Sequence, residues 1–175
     1  MPPTLIQPQK SAVPTFYYIV FGIIEPLITF ASLLEGIFDP RKVIVRHGRW
    51  SSGFAEAPGA LPPTVRAVIY QMVVAHAIIG LVNASVLRAI RTLPSSALQE
   101  KIARSLVISL SIGDVLHLFG TFYGIGDVRW KAKDWPQALW LSVAVGIGLF
   151  IPRVCWLLGI GRYVATRDSR LDGKS

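Results

Sequence analysis

Hydrophobic residues fall into four long runs, and each run is separated from the next by a segment rich in charge, proline or glycine. Each run holds about 20 residues or more, which at ~1.5 Å per helical residue is enough to cross a hydrocarbon core of about 30 Å. Inside a bilayer the backbone must satisfy its own hydrogen bonds, so runs of this length predict helices. The pattern therefore predicts an all-α fold, a polytopic four-helix membrane bundle, with spans at about residues 15–34, 67–87, 105–126 and 138–161.

The segments outside the apolar runs predict one transmembrane domain, residues 15–164, with a short extension at each end. Residues 1–14 are rich in proline and are expected to form an extended lead-in, whereas the polar residues 165–175 are expected to be a disordered tail. The connection from Arg88 to Arg104 has a Pro-Ser-Ser turn and basic ends, as expected of a loop at the membrane surface.

The long loop at residues 35–66 leaves two interpretations open. A loop of this length is more often functional than a bare connection, so it could be a lid over the mouth of the bundle. Its basic residues also suit a linker that lies on the lipid headgroups. Within it the sequence KVIVR suits a short strand or an interfacial segment.

Composition agrees with a membrane protein. Hydrophobic residues make up 52% of the chain and charged residues only 16%, against about 25% in an average soluble domain, and the mean hydropathy is +0.50. The net charge of +8 does not indicate a nucleic-acid partner, because the basic residues gather beside the apolar runs, where they anchor spans to headgroups. The single cysteine, Cys155, allows neither an intrachain disulfide nor a cysteine-based metal site.

An even number of spans places both termini on one side of the membrane. Basic residues are divided almost equally between the two sides, and the long loop counts less in the positive-inside rule. This balance favours cytosolic termini, and the expected location is the membrane of the endoplasmic reticulum.

Polar side chains inside the runs indicate where chemistry could take place. In the first run Glu25 precedes Pro26, which removes a backbone hydrogen bond and predicts a kink. Tyr18, Glu25 and Thr29 follow helical spacing, and so lie on one polar stripe. An ionisable residue at such depth costs at least ~2.5 kcal/mol to insert, so Glu25 is expected to face a partner or a polar space within the bundle.

The third run places Asp114 and His117 three residues apart, on one helical face. Polar stripes of a bundle turn inward, because lipid offers them no partners, and a polar cavity near the midplane is predicted. A carboxyl group in such a place can remain protonated and serve as a general acid. We therefore take Glu25, Asp114 and His117 as candidate catalytic residues, and the candidate pocket residues are His76, Asn83, Tyr18, Tyr123 and Arg153.

Purely structural explanations exist for the same residues. Asp114 and His117 could form an internal pair that fixes helix packing, and Glu25 could form an ion pair with Arg153. His76 alone is typical of a packing or hydrogen-bonding residue, and Asn83 of a bond between helices. The histidines and acids have no HxxxH or HExxH spacing, so no metal ligand set is assigned and no cofactor is expected.

Two segments carry a resemblance to a known family. FYYIVFGIIEPLITFASLLEG in the first run and GDVLHLFG in the third, on a four-span plan, resemble the small fungal membrane-bound terpene cyclases and epoxide hydrolases of the ascofuranone cyclase type. Similar proteins occur in the aurovertin and citreoviridin pathways. The resemblance covers roughly residues 13–162, and it matches Glu25 and Asp114 to the family's acids in type and depth.

This resemblance implies an integral membrane enzyme of fungal secondary metabolism that protonates an epoxide on a lipophilic polyketide or meroterpenoid. An internal alkene or hydroxyl, or water, then captures the cation, which gives cyclisation or hydrolysis without a redox cofactor. The implied partners are the lipophilic epoxide and the bilayer. Because four spans enclose less space than the longer cyclases do, a cavity shared between the subunits of a homo-oligomer is also compatible with the resemblance. The alternatives are a sterol isomerase of the emopamil-binding type and a non-enzymatic lipid-binding membrane protein.

Overall fold

The computed structural model describes residues 11–47 and 61–172, and the regular elements in these ranges are helices. Four of them are long and apolar enough to cross a membrane, and we refer to them as the first to fourth spans: Thr15–Phe38, Pro63–Arg91, Ser96–Gly124 and Gln137–Leu157. The prediction of an all-α, four-helix membrane protein is confirmed.

The second and third spans are longer than predicted. Only residues 92–95 separate them, so the predicted loop from Arg88 to Arg104 is wrong over most of its length. The third span begins directly after Ser95, whose hydroxyl accepts a hydrogen bond from the backbone N–H of Leu98 as an N-cap. Hydropathy measures only the part of a helix that lies in lipid, and here charged turns continue the helices beyond the apolar runs.

The long loop is partly helical. The first span continues to Phe38, a short surface helix follows at Pro40–His47, and the second span begins at Pro63. The whole KVIVR sequence lies in this surface helix, whose Val43 packs against Ile69 and Val73 of the second span. The remaining part of the proposed lid, residues 48–60, lies outside the described residues.

The described parts of the lead-in and the tail are folded against the bundle, while residues 1–10 of the predicted lead-in lie outside the described residues. Ala12 and Val13 of the lead-in are buried, and the backbone N–H of Tyr163 donates to the carbonyl of Ser11 at 3.1 Å. The prediction of a disordered tail is wrong for Ala165–Asp172, which is a helix, while residues 173–175 lie outside the described part. Between this helix and the fourth span, Gly159 and Gly161 have φ of 78° and 67°, and this left-handed conformation lets the chain turn.

The first two spans approach each other closely at two glycines. A Cβ added at Gly36 would lie 2.6 Å from Val73 Cγ1, and one added at Gly80 would lie 3.2 Å from the Cα of Pro26. The Cβ at Gly80 would also lie 2.1 Å from Oγ1 of Thr29. Glycine at these two points therefore lets the first two spans approach each other closely, as is usual in membrane bundles.

A hydrophobic core closes the end of the bundle at which the termini lie. Its buried members come from the lead-in and from all four spans, namely Val13, Tyr17, Phe21, Leu87, Ile90, Ala103, Val107 and Trp156. This core holds the four spans together at one end and fixes the relative position of the polar side chains in the spans.

Candidate functional site

The Glu-Pro sequence of the first span changes the helix in a specific way. Residues Val20–Ile24 form a π-helical turn, and the backbone N–H of Glu25 bonds to the carbonyl of Val20, five residues earlier. In a regular α-helix that N–H would bond to Phe21 instead. Since Pro26 has no N–H to offer, the carbonyl of Phe21 is left without a partner in its own helix.

Asn83 of the second span supplies the missing partner. Its amide nitrogen donates to the carbonyl of Phe21 and to Oε2 of Glu25, both at 2.9 Å. Both of these groups accept hydrogen bonds, which fixes the amide orientation, because only the NH₂ group can face them. The side chain is 1% exposed, so Asn83 acts as an interhelical bond in the interior of the bundle, as its position suggested.

Arg153 of the fourth span joins the two acids. Its Nη2 donates to Oε1 and Oε2 of Glu25 at 2.6 and 2.7 Å, and its Nη1 donates to Oδ2 of Asp114 on the third span. Arg153 is 1% exposed and Glu25 is 5% exposed. The ion pair of Glu25 with Arg153, which the sequence left as an alternative, is therefore present, and Asp114 shares the same guanidinium.

Each of the four spans thus contributes one member to a single polar cluster, which we call the charge network: Glu25, Asn83, Asp114 and Arg153. Glu25 lies about 15 Å from the start of the first span, which is roughly halfway through a hydrocarbon core. The predicted polar centre near the midplane exists. Glu25, Asn83 and Arg153 bond directly to one another at this centre.

Two polar atoms of the charge network have no hydrogen-bond partner within the described residues: Oδ1 of Asn83 and Nε of Arg153. Each such buried atom costs about 1–3 kcal/mol relative to a satisfied one. Asp114 is its most accessible member, with 15% of its side chain exposed against 6% for Glu25.

His117 lies on the same helical face as Asp114 but has another hydrogen-bond partner. Its Nε2 lies 3.2 Å from the hydroxyl of Ser142 on the fourth span. His76 of the second span approaches it edge to face, with the two ring centroids 6.3 Å apart. The predicted pocket residue His76 and the candidate His117 are thus brought together, beside the accessible edge of the charge network, and His117 is exposed on the surface of the bundle.

Two other candidates lie elsewhere. Tyr123 is 74% exposed and stacks on Phe119 near the end of the third span. Tyr18 lies near the other end of the bundle, where the guanidinium carbon of Arg91 is 4.4 Å from its ring centroid. The structure therefore does not place either tyrosine in the charge network.

Sequence reasoning did not find Ser142, because a lone serine in an apolar run gives no signal without knowledge of its neighbour. It also did not find the ion pair between Glu100 and Arg162, at 2.9 Å, because Glu100 was assigned to a surface loop and Arg162 to the segment that follows the fourth span. Among the described residues no cluster of three or more potential metal ligands occurs.

Comparison with known proteins places this architecture in a family. A family profile described as a domain of unknown function, DUF7704, matches residues 10–163, a range that includes all four spans and every member of the charge network. No curated protein and no solved structure matches the chain significantly. The chain belongs to the DUF7704 family of domains of unknown function.

Proposed function

We propose that this membrane protein is an enzyme that opens an epoxide on a lipophilic polyketide or meroterpenoid by acid catalysis, with cyclisation or hydrolysis as the outcome. The observation that carries the proposal is the arrangement of the two intramembrane acids. Glu25 and Asp114 share one buried guanidinium, and only Asp114 reaches an accessible edge, where His117 lies on the same face.

Charge balance supports a transferable proton in the network. With both carboxylates and the guanidinium ionised, two negative charges face one positive charge, and a net charge inside a bilayer is costly. One proton on either carboxyl makes the cluster neutral. In the proposed mechanism Asp114 carries this proton, while Glu25 stays ionised against Arg153 and Asn83.

The proposed reaction is balanced by these side chains alone. The carboxyl of Asp114 gives its proton to the epoxide oxygen, and the C–O bond breaks with its electron pair going to that oxygen, which becomes a hydroxyl group. Water, an internal hydroxyl or an internal alkene then bonds to the carbon. His117 accepts the proton that this step releases and returns it to Asp114, three residues away on the same helical face.

The position of the histidines supports access from the bilayer. His117 is exposed and His76 is half-buried, and both lie within spans, so this polar edge faces lipid rather than bulk water. A lipophilic substrate dissolved in the membrane would reach Asp114 laterally, between the second, third and fourth spans. The low polarity there would also limit the access of water to the cation.

One observation favours a second candidate function, a non-enzymatic lipid-binding membrane protein. The double ion pair with Arg153 satisfies both acids in the resting structure, as a purely structural network would. A sterol isomerase of the emopamil-binding type would use the same two acids to add and remove a proton at a double bond.

The test is the mass of the product formed by membranes that contain the full chain. The substrates are epoxidised farnesyl-phenol and polyene-pyrone compounds in oxygen-18 water. A labelled product shows hydrolysis, and an unlabelled isomer shows cyclisation. Asp114→Asn is expected to lower the rate at least ~100-fold, as for loss of a general acid, whereas Asp127→Asn, an exposed acid outside the spans, should leave it unchanged.

Stability measured on the same variants separates the candidates. The enzyme proposal expects Asp114→Asn and Glu25→Gln to remain folded in detergent while turnover is lost. If folded wild-type protein converts no epoxide, the proposal is wrong. Double-bond migration with deuterium uptake from heavy water would then identify an isomerase, and loss of folding in the acid variants would identify a structural network.

We also propose that the protein lies in the membrane of the endoplasmic reticulum with cytosolic termini. The support is the four-span topology, in which Ser11 and Tyr163 meet at one end of the bundle. A tag fused after Ser175 should be digested by protease added to sealed microsomes. A tag that is protected from the protease would show the opposite orientation, with the termini in the lumen.

A further inference from the structure

A second polar site lies at the end of the bundle where the termini meet, apart from the charge network. A cavity of about 540 Å³ is lined there by Ser11, Pro14, Gly161, Arg162 and Arg167. Pro14 directly precedes the first span, and Gly161 closely follows the fourth. These positions place the cavity at the level of the lipid headgroups.

Arg162 is held rigidly at the wall of this cavity. Its side chain is only 1% exposed, and the guanidinium carbon lies 3.9 Å from the ring centroid of Trp156. Its Nε donates to the carbonyl of Trp156 at 2.6 Å, and its Nη1 donates to Glu100 at 2.9 Å and to the carbonyl of Tyr163 at 2.6 Å. Its Nη2 takes part in none of these bonds.

The acidic neighbours do not line the cavity. Glu100 uses one oxygen for Arg162, and the other accepts from the backbone N–H of Ala165 at 2.7 Å. Asp168 accepts from the backbone N–H of Val164 and from Nε of Arg167, both at 2.9 Å. The carboxylates therefore fix the backbone and one side of each guanidinium, and the charged residues among the described lining of the cavity are Arg162 and Arg167.

Arg167 is the more exposed of the two arginines. Its side chain is about half exposed, and its Nε and Nη2 are bonded to Asp168 and to the carbonyl of Arg162. The hydrogen bond to Asp168 raises the pKa of Arg167 above its ordinary value. Its Nη1 takes part in none of these bonds, so two guanidinium groups each keep donors for an external acceptor.

We propose that this cavity binds a phosphate group, held between Nη2 of Arg162 and Nη1 of Arg167. Guanidinium groups match the geometry of phosphate oxygens, and their charge-assisted hydrogen bonds are among the strong ones. The volume is within the range of small-ligand sites. A lipid headgroup and a soluble phosphate compound share this chemistry. Because the cavity lies at the level of the lipid headgroups, an anionic phospholipid is the expected source of the phosphate group. This proposal does not depend on the proposed enzymatic function.

The test measures the thermal stability of the purified full chain in detergent with four additives. Phosphatidic acid and diacylglycerol with the same acyl chains differ only by the phosphate group, while inorganic phosphate and glycerol phosphate represent a soluble source. Phosphatidic acid is expected to raise the melting temperature of the wild type and diacylglycerol is not. A response to the soluble phosphates that competes with phosphatidic acid would assign the site to a soluble phosphate.

Arg167→Gln is the test variant, because Arg162 is too deeply involved in folding to be replaced cleanly. About tenfold more phosphatidic acid should be needed for the same shift, as for loss of one charged hydrogen bond. Arg104→Gln removes an exposed arginine of the third span that does not line the cavity, and should respond like the wild type. Equal responses of the two variants, or equal effects of phosphatidic acid and diacylglycerol, would overturn the proposal.

Discussion

Replacing Arg153 by methionine tests whether the charge network holds the four spans together. Methionine keeps an unbranched stem but lacks the guanidinium group and its charge, so Arg153→Met leaves Glu25 and Asp114 without their cation. Removal of one partner from a buried ion pair costs about 3–5 kcal/mol, because the remaining charge is left uncompensated. Since Arg153 is 1% exposed and serves two carboxylates, we expect about 4 kcal/mol.

This free energy corresponds to a large change in melting temperature. For a chain of 150–250 residues, 1 kcal/mol shifts the midpoint by about 2–4 °C, so Arg153→Met should lower it by roughly 8–16 °C. The assay is thermal unfolding of the detergent-solubilised protein, followed by tryptophan fluorescence. Trp156, which is buried in the fourth span three residues after Arg153, is one of the five tryptophans that report on unfolding.

A triple variant separates lost charge pairing from lost packing. Arg153→Met combined with Glu25→Gln and Asp114→Asn has no buried charge in the network, and neutral replacements of buried ion pairs are often close to neutral in stability. It should therefore recover at least half of the loss. The control Arg104→Met changes an exposed arginine and should shift the midpoint by no more than about 2 °C. If Arg153→Met behaves like this control, or if the triple variant is no more stable than the single one, unpaired buried charge does not explain the effect of Arg153→Met on stability.

Two further predictions concern the contact between the first and second spans. Gly80→Ala should destabilise the protein by about 1–3 kcal/mol, because the added Cβ would lie 2.1 Å from Oγ1 of Thr29 and 3.2 Å from the Cα of Pro26. Gly148→Ala adds a methyl group in open space and should cost nothing. Equal melting temperatures of the two variants would contradict the close approach. Asn83→Leu should destabilise the protein by about 2 kcal/mol, because the carbonyl of Phe21 loses its hydrogen-bond donor. Ser85→Ala, at an exposed position of the same span, is the control in the same unfolding assay. If Asn83→Leu does not change the stability, this carbonyl finds another partner.

Hydropathy alone predicts the number, type and approximate position of the spans, because the requirement for apolar length in a bilayer is strong and local. It does not predict where helices end outside the lipid. Ser96–Gly124 begins well before the apolar run because Ser95 caps its first turn, and Ala165–Asp172 is helical although its composition resembles a tail. Both depend on contacts such as the bond from the Ala165 N–H to Glu100, which only the tertiary structure reveals.

The candidate site could be predicted as a set of residues but not as a set of bonds. The cost of burying an ionisable group identifies Glu25, Asp114 and Arg153 as residues that need partners. Helical spacing then predicts that Asp114 and His117 share a face, yet the partner of His117 is Ser142 on another span. Pairing across helices depends on their rotation and depth, and neither is encoded in the periodicity of one segment.

The Glu-Pro sequence explains why the break in the first span and the charge network occur at the same place. Pro26 removes one N–H, the helix widens into a π turn, and the carbonyl of Phe21 becomes free. The amide of Asn83 bonds to that carbonyl and, with its second hydrogen, to the carboxylate of Glu25. The same asparagine thus repairs the helix break and orients the acid toward Arg153. A helix without the proline would satisfy its own carbonyl, and Asn83 would lose the bond that holds it beside Glu25. The break in the helix therefore contributes to the position of the Glu25 carboxylate, because it supplies the carbonyl that holds Asn83.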